Sequence, residues 1–474
     1  MHLDRGPRWT GTESRVFHAL VSLALAFALG CAAGPASRPS APTPGTASTP
    51  EAAVDRPIDD DSGNDPGDDP GAYDGDASPG TSSERFKRLS RTLARHVERG
   101  ELAGVASLVA RYGEVVHFDA TGLRDRETGA PLTRDTIFRI YSMTKPITSV
   151  AVMMLVERGE LLLSDPISKH IPALSGMKVL RTPDSRLSDV VPAKREMTVR
   201  DLLTHTSGLS SSLPGVGTPK AIEEAYLAAD LRGSQTHLGP DEWIRRLASV
   251  PLVHQPGTKF LYGVSTDVLG QLVAVVSGKP FEVFLREEIF EPLGMPDTGF
   301  HVPAEKRDRF AANYGPGPDG GLVLVDSPKT SRYLEPPAFP SGAGGLVSTI
   351  DDYLRFCEML RRGGELDGAR LLSRKSIELM TVNHLSDGER DVPMLTGWFP
   401  GQGFGLGFSV VESIAPGATL ASVGQYGWGG AAGTYFWVDP AEELVAILMI
   451  QLYPPGGLPL VPEFKNGVYQ AIAD

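Results

Sequence analysis

The sequence predicts an α/β (α+β) fold in which one antiparallel sheet is built from both ends of the chain. Short strands are indicated at 105–110 and 115–118, joined through a Tyr-Gly-Glu turn. A second hairpin is indicated near the C-terminus, at 434–438 and 444–450. The stretch from about 165 to 340 instead mixes helical segments with loops rich in proline and glycine. This order predicts a sheet flanked by helices, with the middle of the chain inserted as a mostly helical lobe.

Residues 1–30 are predicted to be a signal peptide of the lipoprotein type. A basic stretch precedes an apolar run over 16–30 that is too short to cross a bilayer comfortably. The run ends in Ala28-Leu29-Gly30-Cys31, and small residues directly before a cysteine resemble a bacterial lipobox. The resemblance implies that Cys31 is acylated, which would anchor an exported protein to a bacterial membrane, in the periplasm or at the cell surface. Simple secretion with a chance cysteine is the alternative.

Residues 31–83 are predicted to form a disordered acidic tether rich in Pro, Ser and Asp. They carry almost no large apolar side chains, so they cannot bury enough surface to offset the entropy lost on ordering. Between Glu51 and Asp76, ten residues are acidic and one is basic, so this tract holds most of the net charge of -13. The acidic balance argues against a nucleic-acid partner, for which a basic face is expected.

The folded domain is predicted to span 84–474 and to begin with a helix at 84–99, whose apolar side chains recur on one face. A longer helix is predicted over 142–158, because apolar residues recur there at helical spacing and Gly159 stands where the helix should stop. A final helix is expected after Pro462.

Ser142-Met143-Thr144-Lys145 opens the second of these helices and has the pattern of an activated nucleophile. Residues three apart share one helix face, so the Ser142 hydroxyl is expected beside the Lys145 amine. A serine is a poor nucleophile until a base takes its proton, which a lysine can do when burial and a nearby positive dipole lower its pKa. By itself the pattern also fits a helix cap with an exposed lysine. A second copy, Ser175-Gly176-Met177-Lys178, lies in a loop-like stretch and is interpreted as a coincidence.

Around this motif the sequence resembles the serine β-lactamase and penicillin-binding-protein superfamily over about residues 85–474. The segment 137–146 is similar to the active-site segment of that superfamily, and further segments follow in the family's order. They are Asp201-Leu202-Leu203-Thr204-His205-Thr206-Ser207-Gly208-Leu209, Gln255-Pro256-Gly257, Tyr262, Leu293-Gly294-Met295, Ser341-Gly342-Ala343-Gly344-Gly345-Leu346 and Phe404-Gly405-Leu406-Gly407-Phe408. The branch it most resembles is the family VIII carboxylesterases, relatives of class C β-lactamases. The resemblance implies a serine β-lactamase-like fold.

The superfamily's second motif, Tyr-x-Asn, falls on Tyr262-Gly263-Val264. The resemblance makes Tyr262 the partner of Lys145, relaying a proton to the leaving group, which a phenol can do when cationic neighbours lower its pKa. A core tyrosine is the alternative. Val264 stands where an asparagine normally helps to hold an acyl-amide side chain, and valine can neither donate nor accept a hydrogen bond through its side chain.

The third motif is usually Lys-Thr-Gly or His-Thr-Gly, and Trp428-Gly429-Gly430 replaces it here. A lysine at this place offers positive charge to a substrate carboxylate, whereas Trp428 offers an apolar wall and one N–H donor. The site is therefore expected to suit a neutral ester better than a penicillin or a D-Ala-D-Ala peptide, and the family's esterases commonly carry Trp-x-Gly. The resemblance also implies an oxyanion hole made by the backbone N–H of Ser142 and one near Ala431.

Signatures of other enzyme classes are missing from the sequence. It contains no G-x-S-x-G elbow, no H-E-x-x-H among its ten histidines, no dinucleotide fingerprint and no P-loop, so no cofactor or metal is implied. His205 is interpreted as a structural histidine rather than a triad base. Cys357 is interpreted as a small buried side chain rather than a catalytic thiol, and no intramolecular disulfide can form if Cys31 is lipidated.

The sequence therefore predicts a serine hydrolase that cleaves carboxylic esters through an acyl-enzyme on Ser142. Two alternatives stay open: a β-lactamase or D-amino-acid cell-wall peptidase, and a non-catalytic cell-surface binding protein of the same fold. The presence together of Ser142, Lys145 and Tyr262 disfavours the binding protein. The expected partners are a small-molecule ester or β-lactam-like substrate and, through Cys31, the membrane.

Overall fold

A computed structural model describes residues 80–212, 217–390, 400–416, 418–455 and 457–474. The predicted signal peptide, Cys31 and all but the last four residues of the predicted tether lie outside these ranges. Thr81 forms an isolated bridge with Ile472, and the Ser82 side chain accepts a hydrogen bond from the Arg85 amide at the start of the first helix.

Sixteen strands and twelve α-helices are formed by these residues. The strands are β1 (Gly104–Arg111), β2 (Glu114–Asp125), β3 (Ala130–Pro131), β4 (Phe138–Arg139), β5 (Lys178–Leu180), β6 (Val190–Pro192), β7 (Asn313–Pro316), β8 (Leu322–Asp326), β9 (Val347–Ser348), β10 (Glu365–Leu366), β11 (Ala369–Arg370), β12 (Gln402–Phe404), β13 (Ser409–Val411), β14 (Tyr426–Gly429), β15 (Tyr435–Asp439) and β16 (Leu444–Ile450). The helices are α1 (Ser83–Glu98), α2 (Thr144–Glu157), α3 (Val199–Leu203), α4 (Lys220–Ala228), α5 (Pro240–Leu247), α6 (Ser265–Ser277), α7 (Phe281–Leu285), α8 (Glu291–Leu293), α9 (Ile350–Arg361), α10 (Arg374–Met380), α11 (Asp387–Arg390) and α12 (Leu460–Tyr469).

The main sheet has eight strands in the order β12-β13-β14-β15-β16-β1-β2-β3, and the pairings that join these strands are antiparallel. The two chain ends meet at its centre, where β1 pairs with β16 so that Val105 lies opposite Ile450. Both of these strands are buried along their whole length, because helices cover both faces of the sheet. The predicted fold class is confirmed.

The strand β2 is longer than predicted, since it continues to Asp125 instead of ending near Phe118. Its later residues are only partly buried and polar at several positions, so their composition gives a weak strand signal. Pairing with β1 extends it anyway: the register runs on until Gly104 lies opposite Gly122.

One face of the sheet is covered by α1 and α12, which come from opposite ends of the chain. Leu89 of α1 packs closely on Gly467 of α12, where a Cβ would lie 2.4 Å from the Leu89 Cδ1. Lys465 of α12 is buried in this layer, and its Nζ has no hydrogen-bond partner among the described residues. Arg111 links the start of the described domain to the C-terminal residue, since its Nη1 donates to the Gly80 carbonyl at 2.6 Å and to Asp474 at 3.1 Å.

The other face carries the larger core, in which α2 packs against α6 and α9 packs against β16. The helices α3 to α8 lie between α2 and α9 in the chain and form the predicted inserted lobe. In the part of the chain that the structure describes, no single helix is long and apolar enough to cross a membrane. The bent pair Ser265–Ser277 and Phe281–Leu293 reaches that limit only when both helices are counted together.

Candidate active site

Ser142 lies in a short 3-10 turn, Tyr141–Met143, that leads directly into α2. Tyr141 has a φ of 42°, a conformation that is rare for a residue other than glycine and that is often found at functional sites. Ser142 is half-buried and Lys145 is buried one turn further on. The Lys145 Nζ lies 3.2 Å from the Ser142 Oγ, so the predicted pair is brought into hydrogen-bond distance.

The Lys145 amine is held by two further groups. Its Nζ donates to the Ala343 carbonyl at 2.7 Å, and it lies 4.5 Å from the centre of the Tyr262 ring. The Ala343 carbonyl and the Tyr262 ring thus hold the Lys145 amine, which stays within hydrogen-bond distance of the Ser142 hydroxyl.

Asp267 was not predicted, and it supports this arrangement from behind. It is buried in α6 and accepts a hydrogen bond from the Ser341 hydroxyl at 2.5 Å and one from the Ala343 amide at 3.1 Å. Burial raises the pKa of Asp267, and the Ser341 hydrogen bond, the Lys145 charge and the Ala343 amide oppose that rise. The only sequence signal for it is an acidic residue within an apolar helical run.

The glycine-rich segment 341–346 connects α2 to α6. The Thr148 hydroxyl donates to the Gly342 carbonyl at 2.8 Å, and the Leu346 amide donates to the Thr144 hydroxyl at 3.2 Å. A Cβ on Gly342 would lie 2.5 Å from the Thr266 carbonyl oxygen, so this close approach requires glycine. The segment that marks the family resemblance therefore holds the Lys145 acceptor in place.

Tyr262 precedes α6 and is fixed by the backbone on both sides. The Leu261 amide donates to the His205 carbonyl at 2.8 Å, and the Val264 amide donates to the Ser210 carbonyl at 3.0 Å. These bonds place the Tyr262 ring against the Lys145 amine, as the resemblance implied for its partner.

Trp428 lies on β14 and is buried, and its Nε1 donates to the Tyr262 hydroxyl at 3.1 Å. The one N–H donor that the sequence assigned to Trp428 is therefore bound to the Tyr262 hydroxyl in the structure. The indole also packs edge-on against Phe404, with ring centres 5.2 Å apart, so its contribution to the site is an apolar wall.

His205 lies in the same aromatic cluster, with its ring centre 4.8 Å from that of Tyr262. Burial lowers the pKa of His205 well below its usual value, and the Lys145 charge acts in the same direction. Its Nδ1 has no hydrogen-bond partner among the described residues. A neutral packed imidazole with no carboxylate on its ring fits the structural role expected for it.

Two backbone amides are available for an oxyanion. Within the described residues, the N–H groups of Ser142 and Ala431 donate no hydrogen bond, whereas the Gly430 amide is occupied by the Thr434 carbonyl at 2.7 Å. A Cβ on Gly430 would lie 2.5 Å from the Ile140 carbonyl oxygen. Gly430 therefore allows the end of β14 to approach the 3-10 turn that carries Ser142. Gly429 is the last residue of β14 and pairs with Tyr435.

The second S-x-x-K copy does not form such a site. Ser175 and Lys178 are both exposed, the Ser175 hydroxyl donates to Glu196 at 3.1 Å, and Lys178 begins β5. Where the structure describes side chains, no group of three His, Cys, Asp or Glu residues is arranged to hold a metal ion.

Three comparisons place this geometry among known proteins. The mycobacterial Protein Rv1367c (Mycobacterium tuberculosis) is 38% identical over 361 residues, covering 75% of this chain and 88% of that protein. Esterase EstB (Burkholderia gladioli) is 34% identical over 400 residues, covering 81% of this chain and 94% of the esterase. The solved structure of EstCE1, described as a hydrolase with promiscuous acyltransferase activity, matches with a TM-score of 0.67 at 26% identity, covering 81% of this chain and 99% of that one.

The family comparison spans the domain from within α1 to the start of α12. Residues 89–461 match the family described as Beta-lactamase, and they include the nucleophile's turn, the Tyr262 loop and β14. Because the family match spans most of the chain, this protein is a member of the Beta-lactamase family.

Proposed function

We propose that the protein is a carboxylesterase that forms an acyl-enzyme on Ser142. The observation that carries the proposal is the 3.2 Å contact between the Lys145 Nζ and the Ser142 Oγ, with the Tyr262 ring against the same amine. A binding protein of this fold would not need a buried lysine, a serine and a tyrosine held together.

In the acylation step, Lys145 in its neutral form accepts the Ser142 proton while the Oγ bonds to the ester carbonyl carbon. The amides of Ser142 and Ala431 stabilise the resulting oxyanion. The bond to the alcohol oxygen then breaks, and the alcohol leaves with a proton that passes from Lys145 through Tyr262. Water attacks the acyl-enzyme by the same proton path and releases the carboxylic acid.

Two features favour an ester over a β-lactam or a D-amino-acid peptide. Trp428 stands where a cationic side chain would meet a substrate carboxylate, and its N–H is already bound to Tyr262. Val264 has no polar group with which to hold an acyl amide. The esterase EstB and the hydrolase EstCE1 support the same choice, since each shares most of its length with this chain.

Hydrolysis of p-nitrophenyl acetate and butyrate, compared with nitrocefin, tests the proposal on the purified full chain. We expect turnover of both esters, little turnover of nitrocefin, and loss of ester turnover in Ser142→Ala. Dominant nitrocefin turnover would contradict the argument from Trp428. Absence of any Ser142-dependent turnover would favour a peptidase or a non-catalytic protein.

We further propose that the enzyme is exported and anchored through an acylated Cys31. The support is the Ala28-Leu29-Gly30-Cys31 pattern at the end of the apolar run. Growth of a bacterial host with an alkyne fatty acid should label the wild-type chain, whereas Cys31→Ala should remain unlabelled. Equal labelling of both would exclude this anchor.

A further inference from the structure

A polar rim lies on the Tyr141 side of the nucleophile. The Tyr141 ring stacks on Tyr453 with ring centres 5.5 Å apart, and its hydroxyl accepts a hydrogen bond from the Asn313 Nδ2 at 3.0 Å. Because Tyr141 directly precedes Ser142, these three side chains border the site on this side. None of them was singled out by the sequence, because they come from three separate parts of the chain.

Arg332 brings a positive charge to this rim. It begins the 3-10 turn Arg332–Leu334, its Nη2 donates to the Ser234 hydroxyl at 3.1 Å, and its guanidinium lies over the Tyr333 ring at 5.1 Å. Part of its side chain is open to solvent, but protein surrounds much of the guanidinium: burial acts to lower its pKa, against the raising effect of Tyr333 and of the Asp326 charge. Within residues 80–212, 217–390, 400–416, 418–455 and 457–474, no carboxylate forms an ion pair with it, although nearby Arg307 pairs with Glu335.

Two observations place Arg332 near the nucleophile's surroundings. Ser234, its hydroxyl partner, follows Gly233, where a Cβ would lie 3.6 Å from the Ser341 hydroxyl that supports Asp267. On the other side, burial raises the pKa of Tyr141, and the charges of Arg139 and Arg332 act against that rise. The guanidinium is therefore close to the residue next to the nucleophile and close to the segment that holds Lys145.

The opposite side of the nucleophile has a different character. Tyr262, Trp428, His205 and Phe404 form a packed aromatic cluster there, and Tyr262 is the group that passes a proton to the leaving alcohol in the proposed reaction. The alcohol part of the substrate therefore belongs on the aromatic side. The acyl part would then bind on the side of the nucleophile that carries Arg332.

We propose that Arg332 binds an anionic group at the far end of the acyl chain, so that the preferred substrates are monoesters of dicarboxylic acids. The inference rests on the proposed esterase function. A guanidinium that forms no ion pair with any described carboxylate can offer its paired donors to a substrate carboxylate, which binds it more strongly than the Ser234 hydroxyl does. A carboxylate held there would lie away from Trp428, so the missing lysine of the third motif does not exclude it.

The test compares two p-nitrophenyl esters with acyl chains of equal length, the adipate monoester and the hexanoate, on the purified full chain. We expect a higher kcat/KM for the adipate monoester, with a KM that rises with salt. Arg332→Gln should lower the adipate-to-hexanoate ratio of kcat/KM by about tenfold or more, because a charged hydrogen-bond partner is removed. Arg332→Lys should restore part of the ratio.

Arg181→Gln is the matched control, because Arg181 is an exposed arginine between β5 and β6. Its replacement changes the net charge by the same amount as Arg332→Gln. It should leave the ratio unchanged. A ratio that is the same in wild type and Arg332→Gln, while both hydrolyse hexanoate, would overturn the inference and leave the proposed function intact. Failure of the wild type to hydrolyse either ester would refute both.

Discussion

Two lysines are buried on opposite faces of the main sheet, and they differ in what surrounds the amine. Lys145 has the Ser142 hydroxyl, the Ala343 carbonyl and the Tyr262 ring around its Nζ. The Nζ of Lys465 has no hydrogen-bond partner in the described structure and lies 5.5 Å from the ring centre of Trp437. Burial alone therefore does not identify a catalytic base. The informative feature is a set of partners arranged for proton transfer.

The largest effect is expected from removing the nucleophile. Ser142→Ala should lower ester kcat by at least about 10⁴-fold, because no other group can form the acyl-enzyme. Ser175→Ala provides a matched control in the second S-x-x-K copy, where the serine and lysine are exposed and the serine donates to Glu196. Steady-state assays of both variants check this, and a comparable loss in Ser175→Ala would show that the two copies were wrongly distinguished.

The same substitution should lower activity at one of the two buried lysines and leave it unchanged at the other. Lys145→Met removes the proton acceptor and should lower kcat by about 10²- to 10⁴-fold. Lys465→Met should leave kcat near the wild-type value, since Lys465 lies with α1 and α12 on the other face. Matched ester assays with circular dichroism of both variants measure the contrast. Equal losses would remove the distinction drawn between the lysines.

Asp267 tests whether Lys145 depends on its supporting segment. Asp267→Ala leaves the Ser341 hydroxyl and the Ala343 amide without their acceptor, so the carbonyl that holds Lys145 should shift. We expect kcat to fall about 10- to 100-fold, with a changed pH profile of kcat/KM. Asp267→Asn keeps an acceptor oxygen and should recover much of the rate, whereas Asp241→Ala, at an exposed position in α5, should have no effect. An unchanged pH profile and no recovery with asparagine would argue against the positioning role.

The smallest effect concerns stability rather than catalysis. Burial lowers the pKa of Lys465 from 10.5 to about 8, with the Asp439 charge opposing the shift. The unfolded chain therefore binds this proton more tightly, and wild-type stability should rise with pH between about 8 and 10.5. Lys465→Met should be more stable than wild type by about 3 kcal/mol below pH 8, an advantage lost by the upper end of that window. Urea unfolding at pH 7 and pH 10 measures both, and a pH-independent difference would contradict this origin.

The sequence allowed the outer framework of the fold to be predicted, because its strands and long helices carry local periodicity. The C-terminal hairpin and the helix after Ser142 were placed within one or two residues of β15, β16 and α2. The Ser142, Lys145 and Tyr262 cluster was also reachable, because a short spacing and a family resemblance both mark it.

Contacts between distant segments could not be predicted in this way. The Trp428 N–H bonds to Tyr262 across 166 positions, and Asp267 supports the Ala343 amide across 76. Neither pairing leaves a periodic pattern in the sequence, because each depends on how the lobe packs against the sheet. The polar rim with Arg332 was not predicted, for the same reason.

The Arg111 contacts bring the first described residue, Gly80, and the last residue, Asp474, to the same place on the folded domain. In a chain that begins at Gly80, a short linker could join Gly80 to Asp474 while new termini are opened at an exposed loop such as 318–320. Such a rearranged chain would keep every strand of the main sheet in place. It follows that Gly80 and Asp474 lie beside each other, so a fusion added after Asp474 would crowd the surface around Gly80.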